Sequence, residues 1–248
     1  VFTATAGAGH TFPAASMPFG LVQAGPDTGN GSWDYCSGYA WKDRSIIGFT
    51  QDHLNGTGCP DLGDLRLMPF SDVAEREKAP FDKADEQAAP GWYSVKFKSG
   101  IRTEIAAARH SAIYRFTFAK GPKRLLVDTQ YGIWAWGNEN SHLVSSDVKL
   151  EGKTGLSGLQ SRHRWTGREL GFVVTFDTPC VSVVELPRAP KEKAPKYVFD
   201  FDLPPGGQLL VKVALSAEGD VASARRNLET ETAAIKNFSF EAVSKGAR

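Results

Sequence analysis

Between residues 92 and 214 the chain alternates repeatedly between a short run suited to a β-strand and a turn. The runs cover residues 92–98, 102–107, 111–118, 124–128, 143–150, 158–164, 171–176, 181–185, 197–201 and 208–214. In Ser94-Val95-Lys96-Phe97-Lys98 and Tyr114-Arg115-Phe116-Thr117-Phe118 the apolar side chains recur at every second residue, which puts them on one face of a pleated strand. Ser99-Gly100, Lys120-Gly121-Pro122, Glu151-Gly152, Thr178-Pro179 and Pro204-Pro205-Gly206-Gly207 supply the turns, since glycine and proline set the backbone angles that turns need. One-faced strands must bury that face against a second layer, so the series predicts a mainly β fold, a large antiparallel β-sandwich. A length of 248 residues with 41% hydrophobic content is enough for one such domain. Residues 1–218 read as this sandwich.

The flanks follow other rules. Gly7, Gly9, Pro13, Pro18 and Gly20 forbid a long helix or central strand over residues 1–20 and predict a loop. Residues 21–24, 45–49 and 65–68 read as short apolar strands, residues 73–87 as a charged surface connection, and residues 188–196 as a basic, solvated loop. Residues 220–236 predict a helix, with Asp220 at the N-cap and Val221, Ala224, Leu228 and Ile235 sharing a face. Ser239-Phe240-Glu241-Ala242-Val243 reads as the opening of a second one. Residues 219–248 are thus a short C-terminal helical segment, leading into something longer.

Residues 33–64 hold the candidate site. They combine Trp33, Asp34, Tyr35, Tyr39, Trp41, Asp52, His53 and Asn55 with Gly38, Gly48, Gly56, Gly58 and Gly63. Aromatics in a row serve either as core or as a wall on which sugars stack. Here Trp33, Tyr35, Tyr39 and Trp41 alternate with Asp34, Cys36, Ser37 and Gly38, which favours the wall. Trp134 and Trp136 with Asn138 form a weaker second instance. His10, within Gly9-His10-Thr11-Phe12-Pro13, and His53 lack metal-ligand spacing and are expected to order a loop or hold a ligand hydroxyl. Asp52, Asp61 and Asp64 either bind a hard cation or cap turns, and they lack the alternation of a calcium loop. No Gly-x-Ser-x-Gly elbow supports a serine nucleophile. His110, His142 and His163 lie in strand-like contexts.

Composition excludes some classes. The 29 basic and 28 acidic residues are interspersed and leave a net charge of +1, whereas a nucleic-acid footprint needs a clustered basic face. No apolar run approaches the ~18–20 residues of a membrane span, and no charged leader with an apolar core stands at Val1. Cys36, Cys59 and Cys180 match no zinc pattern. Cys36 and Cys59 are expected as buried thiols, or as a bridge if the fold brings them together.

Three runs carry a family resemblance: residues 9–28 (GHTFPAASMPFGLVQAGPDT), 33–39 (WDYCSGY) and 45–69 (SIIGFTQDHLNGTGCPDLGDLRLMP). With APGWYSV at residues 89–95 and Arg225, Asn227, Leu228 and Glu229 in the helix, the whole chain resembles the N-terminal domain of glycoside hydrolase family 92. The resemblance implies calcium-dependent, exo-acting α-mannosidases that invert the anomeric carbon. It also implies a galactose-mutarotase-like supersandwich joined by helices to an (α/α)6 barrel. The general acid, the general base and the calcium ligands would lie in that barrel, beyond Arg248, so no catalytic or metal residue is expected here and the chain alone is expected to be inactive. The sandwich would supply part of the pocket wall. By motif, the substrate-binding positions carried over are Trp33, Asp34, Tyr35, Cys36, Ser37, Gly38, Tyr39, His53, Asn55, Gly56, Thr57 and Gly58, with His10 and Phe12. Ala40 stands where the family often has a larger aromatic or a histidine, and Gln51 where histidine is common. The implied partners are a mannose-containing glycan and the barrel of the same polypeptide, with no nucleic acid and no membrane span, in a periplasmic or secreted setting. The rival reading is a stand-alone carbohydrate-binding or interaction sandwich.

Overall fold

A computed structural model describes residues 1–56, 58–134 and 142–233. Two antiparallel sheets share one core. The first runs, in spatial order, β1 (Ala15–Ser16), β2 (Gln23–Asp27), β4 (Gly48–Thr50), β5 (Arg66–Phe70), β10 (Lys123–Asp128), β15 (Lys196–Phe201) and β14 (Ser182–Glu185). The second runs β11 (Leu143–Leu150), β12 (Gly155–His163), β13 (Gly167–Phe176), β16 (Gln208–Ser216), β9 (Ser111–Thr117), β8 (Arg102–Ala107), β7 (Trp92–Phe97), β6 (Ala79–Ala89) and β3 (Ser45–Ile46). Inward rings meet across the gap: Phe49 of β4 lies 6.1 Å from Phe97 of β7, and Phe176 of β13 lies 4.9 Å from Phe199 of β15. The predicted sandwich is therefore what forms, because each strand's apolar face finds the other sheet.

Three local expectations are corrected. Residues 45–49 are not one strand but two, β3 and β4, in different sheets. The chain crosses at Ile47, whose N–H leaves the ladder and donates to the Asp27 carbonyl at 2.8 Å. Residues 73–87 are not a surface connection throughout: after a short 3-10 turn, Val73–Arg76, they enter the long strand β6. Ala79 and Phe81 point inward while Asp82 faces out, and a bulge between Phe81 and Glu86 shifts the alternation. The density of charge hid that period. The loop over residues 1–20 also contains the two-residue strand β1, and β2 runs on through Pro26, opposite Phe49.

The expected helix is α1 (Val221–Ala233). Asp220 Oδ1 accepts the Ser223 N–H at 2.6 Å, as an N-cap does. Ala224 and Leu228 pack on Val173 and Ala214, covering the outer face of the larger sheet. Glu231 pins the far end by accepting from the His110 N–H and the Ser111 hydroxyl. The second helical run at residues 239–243 lies outside the described residues, as do Trp136 and Asn138. Among the described residues no helix is long and apolar enough to cross a membrane.

Candidate functional site

The loop at residues 33–39 is held from beneath by Asp27, at the end of β2. Gly38 sits in the left-handed region (φ +76°) and its carbonyl accepts the Thr28 N–H at 2.7 Å. A Cβ there would stand 2.0 Å from Asp27 Oδ1, so only glycine fits. Asp27 also accepts from the Thr50 hydroxyl at 3.0 Å and pairs with His53 Nε2 at 2.9 Å. His53 Nδ1 faces the Gln23 carbonyl at 2.9 Å. With a carbonyl at one nitrogen and a carboxylate at the other, both nitrogens are placed to donate, as an imidazolium does. Burial alone would lower the His53 pKa, but the Asp27 carboxylate outweighs it and the net shift is upward. Phe12 stacks on the ring at 4.3 Å. Of the two roles expected for His53, this enclosed position gives it the ordering of the loop.

Above this floor lies an aromatic platform. Trp33 begins the 3-10 turn Trp33–Tyr35 and remains 42% exposed. His10 meets it edge-on, with centroids 4.2 Å apart and an interplanar angle of 87°. A Cβ on Gly58 would lie 3.3 Å from His10 Nδ1 and 3.4 Å from Trp33 Cζ2, so this backbone packs against both rings. His10 is buried and takes a left-handed backbone (φ +48°), a conformation uncommon outside glycine. Its Nε2 has no hydrogen-bond partner among the described residues.

The other expected positions divide between surface and interior. Asp34 is exposed and pairs with Lys42 at 3.1 Å, a contact that water screens. Tyr35 is half-buried, its pKa raised by burial and then by Asp43. Cys36 and Ser37 are buried: the Cys36 thiol donates to the Gly58 carbonyl at 3.2 Å, and the Ser37 hydroxyl to the Thr11 carbonyl at 3.2 Å. Tyr39 is also buried, and its hydroxyl donates to the Glu86 carboxylate at 2.9 Å. Tyr93 and Lys83 reach the same carboxylate at 2.8 and 2.9 Å. Burial, then Glu86, drives the Tyr39 pKa far up, so this phenol stays protonated. Phe12 is half-buried, Asn55 and Gly56 are exposed, and the Gly56 N–H donates to the His10 carbonyl at 2.7 Å. Thr57 lies outside the described residues. Trp134 joins the same region, since its N–H donates to Asn30 and its carbonyl accepts the Gly31 N–H at 2.9 Å.

The aspartates of the next segment cap turns and bind arginines. Asp61 accepts the N–H groups of Trp165 and Thr166 at 2.9 and 2.8 Å. Asp64 pairs with Arg162 at 2.7 Å and with Arg168 at 2.9 Å, and Arg168 also reaches Asp61 at 3.2 Å. Asp52 accepts the Asp64 N–H at 2.7 Å. With their oxygens so engaged, these carboxylates do not fit a calcium ion. Among the described residues no three acidic, His or Cys side chains converge to hold a metal. Asp27, Glu86, Arg162 and Arg168 were not anticipated as organisers. No local spacing marks partners that lie far apart in the chain, and only strand register brings them together.

Among the described residues, a concavity of about 200 Å³ lined by Asp34, Ala40 and Trp41 and two larger ones border these loops. One of the larger two, of about 290 Å³, is lined by Phe12, Phe19, Gln23 and Asn55, and Phe19 stands fully exposed on a left-handed backbone (φ +59°). The other, of about 280 Å³, is lined by Asn30, Arg66, Tyr131, Trp134 and Lys196. Aromatic faces beside amide groups hold a polyhydroxylated ligand by stacking and hydrogen bonds. The buried carboxylates Asp27, Asp52, Asp64 and Glu86 face other protein groups instead.

Fold and site together define a two-sheet antiparallel β-sandwich domain with a loop-borne aromatic platform. The Glycosyl hydrolase family 92 N-terminal domain model matches residues 1–216, and the chain belongs to that family. It is 34% identical over 125 residues to an uncharacterized secreted glycosidase of Arthroderma benhamiae, covering 46% of this chain and 16% of that protein. It superposes on a family GH92 alpha-mannosidase from Bacteroides thetaiotaomicron, solved with mannoimidazole, with a TM-score of 0.85 at 24% identity, over 99% of this chain and 35% of the other. A GH92 inverting mannosidase of the same organism gives a TM-score of 0.80 at 23% identity, covering 99% and 34%. At these identities the likeness establishes the shared fold. The chain spans about a third of the length of these solved relatives.

Proposed function

We propose that this chain is the N-terminal domain, residues 1–218 with a helical linker over 219–248, of an exo-acting, inverting α-mannosidase that trims mannose from glycans. The family match over residues 1–216 supports the enzyme class. The half-exposed Trp33, braced by His10 and Gly58, carries the pocket-wall role. In this reading a second, (α/α)6 domain provides the general acid, the general base and the calcium site. Inversion requires those two carboxyls to stand roughly 6.5–9.5 Å apart, with a water between base and sugar. The present chain orients what lies beyond the scissile bond, Trp33 by stacking and Asn55 by hydrogen bonds, while His10 braces the Trp33 ring edge-on. The secreted relative supports a periplasmic or secreted location.

The test uses the full-length protein. Trp33→Ala is expected to lower kcat/KM for a mannose disaccharide roughly tenfold, the effect of about 1.4 kcal/mol of lost contact. For an aryl α-mannoside with a good leaving group it should lower it only about two- to threefold. Equal losses on both substrates would remove Trp33 from the wall. The chain by itself is expected to turn over neither substrate; turnover lost on replacing one of its own carboxylates would overturn the assignment of the chemistry to the second domain.

A further inference from the structure

Two of the three cysteines lie at the platform. Cys36 closes the turn that begins at Trp33, its N–H donating to the Trp33 carbonyl at 3.2 Å. It is buried, and its Sγ stands 3.2 Å from the carbonyl oxygen of Gly58. The next residue is Cys59, half-buried. A carbonyl oxygen lies under ~3 Å from the following Cα, so Cys36 Sγ is within about 6 Å of the Cys59 Cα. Rotation of two short side chains and a small loop adjustment bridge such a gap. A second observation agrees: after burial, the Cys59 sulfur is the next influence pushing the Cys36 pKa up, to about 11, as a close neighbour does. Cys180 sits elsewhere, buried in the sandwich core with its N–H on the Lys153 carbonyl.

We propose that Cys36 and Cys59 form a disulfide in an oxidising compartment, tying the turn that carries Trp33 to the loop that carries Gly56 and Gly58. The bridge fixes the floor on which Trp33 and His10 rest. With glutathione disulfide as oxidant, the more accessible Cys59 loses its proton and attacks, releasing one glutathione and forming a mixed disulfide. Cys36 then gives up its proton and displaces the second glutathione. Two protein thiols are oxidised, and one glutathione disulfide is reduced to two glutathiones. The inference rests on the thiol geometry alone and stands apart from the mannosidase reading.

The test incubates the protein with glutathione disulfide, unfolds it in excess iodoacetamide and maps the peptides by mass spectrometry. The expected result is one cross-linked species joining the Cys36 and Cys59 peptides, lighter by two hydrogens than the two thiol peptides, with Cys180 alkylated as the internal control. Oxidation should raise the melting temperature by roughly 5–10 °C, reversibly with dithiothreitol. Cys59→Ser, a change at a half-buried position, should abolish both effects and serves if Cys36→Ser fails to fold. Recovery of Cys36 and Cys59 both alkylated, or each only as a glutathione adduct, would overturn the proposal. A bridge that leaves the melting temperature unmoved would overturn the tie between the two loops.

Discussion

Trp33 and His53 come from one stretch of sequence and occupy opposite physical situations. The indole is half-exposed above a braced floor, while the imidazole is enclosed with both nitrogens engaged. Removing a partner from a buried ion pair strands the other charge, at a cost of about 3–5 kcal/mol. His53→Ala should therefore lower the stability from urea denaturation by about that amount, with Asp27 left uncompensated. Trp33→Ala, which strands no charge, should cost within about 1 kcal/mol. Similar midpoints for the two variants would mean that the His53–Asp27 pair does not hold the loop. The aromatic run was legible as a group, yet nothing in it told the exposed Trp33 from the buried Tyr39. That difference comes from Glu86, on a strand that charge density had disguised.

At the scale of elements, the loop from β4 to β5 is locked to the β12–β13 hairpin by carboxylates and arginines, and the lock depends on pH. Burial, then Asp64, raises the Asp52 pKa from 3.8 to about 7. Burial would also raise Asp64, but Arg162 and Arg168 outweigh it and hold Asp64 below its ordinary value. A carboxyl raised in the folded state favours folding while protonated, so its contribution is lost as pH climbs from about 4 through 7. His53, raised above its ordinary 6.5, acts in the same direction: its pairing stabilises fully below that value and fades as pH passes the folded one. Asp64 opposes them only in acid, where stability falls as it protonates. Melting between pH 5.5 and 8 should therefore drop by roughly 4–8 °C, from on the order of 2 kcal/mol at Asp52 with His53 adding to it. Asp52→Asn, which mimics the protonated acid, should remove most of that slope; calorimetry at the two pH values checks it. An unchanged slope would place the titration elsewhere.

Across the whole molecule, both sheets contribute to one continuous core, from Phe49 and Phe70 on one side to Tyr93, Phe116 and Phe172 on the other. Neither sheet keeps its apolar face covered without the other, so the domain should unfold in a single transition. Far-UV circular dichroism and aromatic fluorescence should give coincident curves, with calorimetric and van't Hoff enthalpies equal. Separated curves would indicate sheets that stand independently. Helix α1 is held by a smaller cluster, Val173, Ala214, Ala224 and Leu228, and by Glu231.

Local chemistry alone determined that this chain forms short alternating strands, where they turn, that Asp220 begins a helix, and that a glycine- and aromatic-rich stretch of loops precedes the main strand series. These properties depend on period, turn residues and caps, all contained within a few neighbouring residues. Tertiary structure decided that residues 45–49 divide between two sheets, that residues 79–89 form a strand, and that His53 and Tyr39 face inward. It also set Asp61 and Asp64 against Arg168, and the Cys36 thiol against the turn before Cys59. Each of these outcomes joins groups from separate elements, and burial or a buried charge pair takes its meaning from whichever partner the fold delivers.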